Sequence, residues 1–140
     1  MPAYKNILIA VDLDEPNKKI VSKAIELAGN EATLSLIHVI EPIQIYGPIP
    51  TIDYASIQNH TKEFAEKKLM ELGNQYAIDA AHQHVLDGVA QKEIHVFAEQ
   101  NGVDLIVVGS HGRHGVSLLL GSTANAVLHG AHCDVLAVRV

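Results

Sequence analysis

Five short apolar runs recur along the chain, and the stretches between them carry apolar residues at every third or fourth position. The runs are Lys5 to Val11, Thr33 to Val39, Ala81 to Leu86, Leu105 to Val108 and Asp134 to Val140. All but Ala81 to Leu86, which carries His82, Gln83 and His84, are rich in β-branched residues and do not alternate, which suits strands buried on both faces of a parallel sheet. The intervening stretches have helical period. A first helix runs to about Ala28 with Ile20, Val21, Ala24, Leu27 and Ala28 on one face, started by Asp14 and Pro16 and closed by Gly29 and Asn30. Tyr54 to about Tyr76 is the longest, with Ile57, Phe64, Ala65, Leu69, Leu72 and Tyr76 as its apolar stripe. Gly88 opens a third helix over Val89 to Gln100, with Ala90, Ile94, Phe97 and Ala98 inward and Asn101-Gly102 ending it. A short one runs from Ser122 to His129 and stops at Gly130. Between Ile40 and Asp53, Pro42, Pro48 and Pro50 forbid regular structure, while the isoleucines among them predict packing as a lid over the strand ends or as part of a dimer contact.

Strand and helix therefore alternate along a single domain, residues 1–140, and predict a five-stranded parallel sheet with helices on both faces. One main glycine turn after the fourth strand suits the order 3-2-1-4-5, a Rossmann-like doubly wound arrangement whose switch point lies between strands one and four. Asp12, at the end of strand one, and the loop from Gly109 then face each other across one crevice, where ligands of such sheets bind.

That loop carries the most suggestive chemistry. Gly109, Gly112, Gly115 and Gly121 are followed by Ser122 and Thr123 and a helix start. Glycines let backbone amides approach a ligand, and a helix N-terminus offers unpaired N–H groups, so the pattern makes a phosphate cradle. It equally describes an ordinary chain turn with a Ser or Thr cap. It is neither a Walker A loop nor the Gly-x-Gly-x-x-Gly fingerprint. His111, Arg113 and His114 are the potential cations of the loop, or else a solvated tip. Asp12 is a candidate Mg²⁺ ligand. His38 within strand two reads as a packed or surface residue. His82 and His84, two apart on a strand, point to one face, but no carboxylate or cysteine nearby completes a metal site.

With 48% hydrophobic residues, 140 residues suffice for a real core. The net charge is −6 and the ten Lys and Arg are scattered, which argues against nucleic-acid and membrane partners. A single cysteine, Cys133, forms no internal disulfide and fits a reducing compartment. No leader and no apolar run approaching ~20 residues is visible, so a cytoplasmic protein is expected.

From the opening Lys-Asn-Ile-Leu-Ile-Ala-Val-Asp, through Leu36-Ile-His-Val39 and Val103-Asp-Leu-Ile-Val-Val-Gly-Ser-His-Gly112, to the closing Val-Leu-Ala-Val, the chain resembles the universal stress protein family. The resemblance implies an adenine-nucleotide alpha hydrolase-like fold and, in the ATP-binding branch, a nucleotide site. By that pattern Asp12, following Val11, contacts the ribose or phosphate region, and Ala10 and Val39 border the adenine. Val108 and Gly109 close the base and ribose side, and Gly112, Gly121, Ser122 and Thr123 hold the phosphates, with Ser110, His111 and Arg113 in the same loop. Only eight residues, Arg113 to Leu120, separate Gly112 from Gly121, one fewer than the family pattern. The loss shortens the loop by up to ~3.5 Å. The resemblance further implies a stress-response module that binds ATP, with or without Mg²⁺, as a nucleotide-dependent switch and at most a slow ATPase. It also implies a homodimer through the edge strand 135–140, which would cover an otherwise open sheet edge. The alternatives are a member of the branch without nucleotide, acting as a dimeric interaction module, and more remotely a phosphoacceptor receiver domain, with Asp12, Asp14 and Asp87 as its acidic residues.

Overall fold

A computed structural model of the chain describes residues 3–13, 17–41, 54–109 and 122–139. Five strands, β1 (Tyr4–Ala10), β2 (Ala28–Ile40), β3 (Gln83–Asp87), β4 (Leu105–Gly109) and β5 (Asp134–Val138), form one sheet in the order β3-β2-β1-β4-β5. Every adjacent pair is parallel. Among the described residues four helices, α1 (Lys18–Leu27), α2 (Tyr54–Gln75), α3 (Ala90–Gln100) and α4 (Ser122–Gly130), lie between the strands, with a 3-10 turn at Ala80–His82. The order 3-2-1-4-5 is the one the alternation implied. It sets aside the receiver reading, because receiver domains carry the flavodoxin-like order 2-1-3-4-5 with a different switch point.

The apolar runs are continuous because both faces of the sheet are covered. Ile7, Ile9, Val11, Leu36, Leu105 and Val107 point to one face and pack with Ile20, Val21 and Ala24 of α1 and Leu69 of α2. Leu8, Ile37, Ile106 and Val108 point to the other and pack with Ile94 and Ala98 of α3 and Ala124 and Val127 of α4. Burying each such side chain contributes roughly 1.5–3 kcal/mol, so this two-sided core fixes the register of the central strands.

Several local expectations change. The first helix stops at Leu27, and Ala28 is already extended at φ −74°, ψ 139°, rather than Gly29 and Asn30 closing it. Ala28 pairs with Tyr4, and the register then jumps to Asn6 with Thr33, so sheet pairing claims the residues read as a helix cap. Phe64, assigned to the buried stripe of α2, is 55% exposed; Ala65 and Leu69 carry the contact with the sheet instead. His82 ends the 3-10 turn and only His84 lies in β3, so the two do not share a strand face. Gly88 lies between β3 and α3, with Val89 at the N-cap and the helix starting at Ala90.

The amino ends of the strands are tied by polar contacts. The Tyr4 hydroxyl donates to Asp134 Oδ2 at 2.6 Å, and that bond to a carboxylate holds the phenol's pKa above its ordinary value. No helix of the described residues is long and apolar enough to cross a membrane.

Candidate functional site at the switch point

The crevice forms where hydrogen bonding between β1 and β4 ends. Their last register pair is Ile9 with Val107, whereas β4 stays paired to β5 as far as Gly109 with Val138. Beyond that point the chain from Ala10 to Asp12 and the end of β4 diverge. Ala10 and Val39, both half-buried, and the buried Val108 pack against the same core cluster and so share one face of the sheet. Together with Gly109 they make an apolar shelf at the carboxyl ends of three adjacent strands, with Asp12 following Ala10 by two residues.

Val11 has a different place. Its side chain is 6% exposed and belongs to the opposite core, with α1. Its backbone is engaged on both sides: the N–H donates to the Ile37 carbonyl at 3.0 Å, and the carbonyl accepts from His38 Nδ1 at 2.9 Å. Because a carbonyl oxygen only accepts, Nδ1 carries the proton. One residue on, the Asp12 carbonyl accepts from Asn17 Nδ2 at 3.0 Å. Asn17 sits at the N-cap of α1 but makes no side-chain cap to its own helix, and its amide is spent on the strand end. Its Oδ1 is buried without a hydrogen-bond partner among the described residues. The turn after β1 is thus clamped from β2 by an imidazole and from α1 by a carboxamide.

The hold of His38 and Asn17 on the turn after β1 escaped the sequence reading. A lone strand histidine has no spacing signal, and Asn17 was hidden behind Asp14 and Pro16, the more conventional helix start. Asp14 and Pro16 lie outside the described residues, as do Ser110, His111, Gly112, Arg113, His114, Gly115 and Gly121. Ser122 and Thr123 open α4. Among the described residues no group of three or more His, Cys, Asp or Glu is arranged to hold a metal ion. The His84 ring instead packs against Phe97 in a tilted contact, with ring centroids 4.5 Å apart, and burial, with a smaller contribution from the charge of His82, lowers its pKa. Cys133 is a free, half-buried thiol whose pKa burial pushes up, which makes it a poor nucleophile.

A doubly wound parallel sheet with a crevice at its switch point defines the class. Within it, a profile of the universal stress protein family matches residues 3–139, and the chain belongs to that family. It is 49% identical over 144 residues to universal stress protein A homolog 2 of Coxiella burnetii, spanning 100% of this chain and 98% of that one. Among solved structures, universal stress protein UspA from Lactobacillus plantarum superposes with a TM-score of 0.82 at 23% identity, covering 99% of this chain and 100% of that one. A universal stress protein in complex with cAMP superposes at 0.63 with 20% identity, covering 99% and 98%.

Proposed function

We propose that this universal stress protein is an adenine-nucleotide-binding module, with ATP as the leading ligand, whose loaded state alters a partner contact or its own assembly in a stress response. One observation carries the reading: the apolar shelf of Ala10, Val39 and Val108 lies at the switch point, beside the clamped turn that bears Asp12. The shelf suits the flat apolar face of a base, and a carboxylate next to it suits ribose hydroxyls or a Mg²⁺ ion carried by phosphates. The glycines Gly112 and Gly121, with Ser122 and Thr123 at the start of α4, are the groups to hold the phosphates, and Arg113 and His111 the nearby cations in sequence. A bound Mg²⁺ would supply charge neutralisation of the phosphates. The reading is of a binding switch, at most a slow ATPase, rather than a fast enzyme. A fold neighbour, a universal stress protein in complex with cAMP, supports an adenine nucleotide as the class of ligand.

The test is mass spectrometry of the small molecules released on denaturing the purified protein, with calorimetric titration of the emptied protein with Mg-ATP. An adenine nucleotide, or micromolar binding of about −8 kcal/mol, supports the proposal. Gly112→Val and Gly121→Val are expected to abolish that binding with the fold intact, since a Cβ branch would occupy the phosphate path. No released ligand and no heat would assign the chain to the branch that works as a nucleotide-free interaction module.

A further inference from the structure

His38 does more than hold the turn after β1. Successive residues of a strand turn their N–H and C=O groups to opposite edges, and the two edges of β2 are identified by their partners. The Ile37 carbonyl accepts from Val11 on the β1 side, and the Ile40 carbonyl accepts from Gly88 on the β3 side, each at 3.0 Å. Val39, in phase with Ile37, therefore turns its N–H and its carbonyl towards β1. In a continuing parallel ladder the Val39 N–H would donate to the Val11 carbonyl, since the Val11 N–H is already bonded to Ile37. That bond does not form: the registered pairs of β1 and β2 end at Ala10 with Ile37. The Val11 carbonyl is instead taken by the His38 ring.

We infer that His38 is a positioning residue that ends the β1–β2 ladder one bond early and so keeps the Val39 main-chain edge, one donor and one acceptor, open to the crevice for the hydrogen-bonding edge of a purine base. This deepens the nucleotide reading and rests on it. The ring acts on the base only through Val11 and Val39. It lies on the α1 and α2 face in phase with Leu36, while the apolar shelf is on the other, so it spends no space in the crevice. The open edge also explains how an otherwise apolar shelf could prefer adenine to any flat ring: a donor and an acceptor on the same residue match the N1 and amino group of adenine.

Two substitutions test this. His38→Leu removes the donor and releases the Val11 carbonyl to the Val39 N–H, while His38→Asn keeps an N–H at the position of Nδ1. Calorimetric titration with Mg-ATP should show affinity falling about tenfold or more in His38→Leu and within about twofold of the parent in His38→Asn. Amide hydrogen exchange of the nucleotide-free proteins should show Val39 exchanging fast in the parent and slowly in His38→Leu, a gain of protection that a purely structural histidine would not give. A parent that binds ATP and a His38→Leu variant that binds it equally well overturn the inference. So does a Val39 amide as protected in the parent as in the variant. A parent that binds no nucleotide, while Val39 still gains protection in His38→Leu, overturns the proposed function and leaves the histidine's hold on the ladder standing.

Discussion

Asn6 and Asp104, 98 residues apart in sequence, hold each other reciprocally: the Asp104 N–H donates to the Asn6 carbonyl and Asp104 Oδ1 accepts from the Asn6 N–H, both at 2.9 Å. The second carboxylate oxygen accepts from the Lys5 N–H at 2.9 Å, and the Asn6 carboxamide donates to the Asn101 carbonyl at 2.7 Å. One aspartate thus sets where β4 begins relative to β1, and through that register, where the two strands part at the crevice. Asp104→Ala is expected to cost about 1–2 kcal/mol, the value of charged hydrogen bonds reduced for partial exposure, read as a lower midpoint in urea. Asp104→Asn keeps one acceptor and should cost less. Equal stability of all three proteins would show that water replaces the carboxylate without loss.

Helices α2 and α3 end in the same way with different residues. The Ile78 N–H donates to the Gly73 carbonyl at 2.8 Å around Ala77 at φ 58°, and the Val103 N–H donates to the Ala98 carbonyl at 3.0 Å around Gly102 at φ 64°. Both are Schellman closures, whose left-handed residue is usually glycine. Ala77→Gly should therefore raise stability by about 0.5–1 kcal/mol, the relief of a left-handed L-residue less the greater freedom glycine gives the unfolded chain. Gly102→Ala should lower it by a similar amount, and the cause is conformational alone, because an added Cβ there meets nothing within 4 Å. Thermal melts of the two variants check both signs, and a destabilised Ala77→Gly would refute the motif's energetics.

His84 links stability to pH. Its folded pKa lies below the ordinary 6.5 because burial disfavours the charged ring, with the charge of His82 acting the same way. The unfolded chain then binds the proton more readily, so the contribution is fully present above the ordinary value and is lost as pH falls through the folded one. Melting temperatures measured from pH 8 down to pH 5 should decline more steeply in the parent than in His84→Gln. Parallel slopes would mean that the ring against Phe97 is not the titrating group.

The free side of β5 forms one edge of the sheet. In the proposed homodimer that edge meets its copy across a two-fold axis. Ala137, exposed on this strand, should then lie near its counterpart, and Ala137→Lys should shift the protein to monomer in light scattering. A parent already monomeric at the same concentration, or a variant still dimeric, would rule out this interface.

The sheet and its order were readable from sequence because both faces are buried. A run such as Leu105 to Val108 has no amphipathic alternative, and its four side chains are at most 2% exposed. Asp12 was readable as a strand-end residue by topology, whereas Ala10 and Val39 were readable as crevice residues through the family resemblance. What escaped depends on pairing between distant segments. Gly29 and Asn30 look like a helix stop until Ala28 is seen to pair with Tyr4, and Phe64 fits a helical stripe that the sheet does not reach. His38 acts through an N–H to a backbone carbonyl 27 residues away, and such a contact leaves no periodicity to read.

The central position of β1 has a consequence for the order in which the protein can be made. The first strand of this sheet to leave the ribosome has both neighbours still to come: β2 follows soon, but β4 pairs with it only after three helices and two further strands have been synthesised. Such a long-range closure is slow relative to the local steps, so half of the sheet waits with one apolar edge uncovered. The crevice between β1 and β4 is consequently among the last features to be born. A small molecule that fastens those two strands would act on the nascent chain at the moment it is most exposed to aggregation, as a clasp on a newly finished protein.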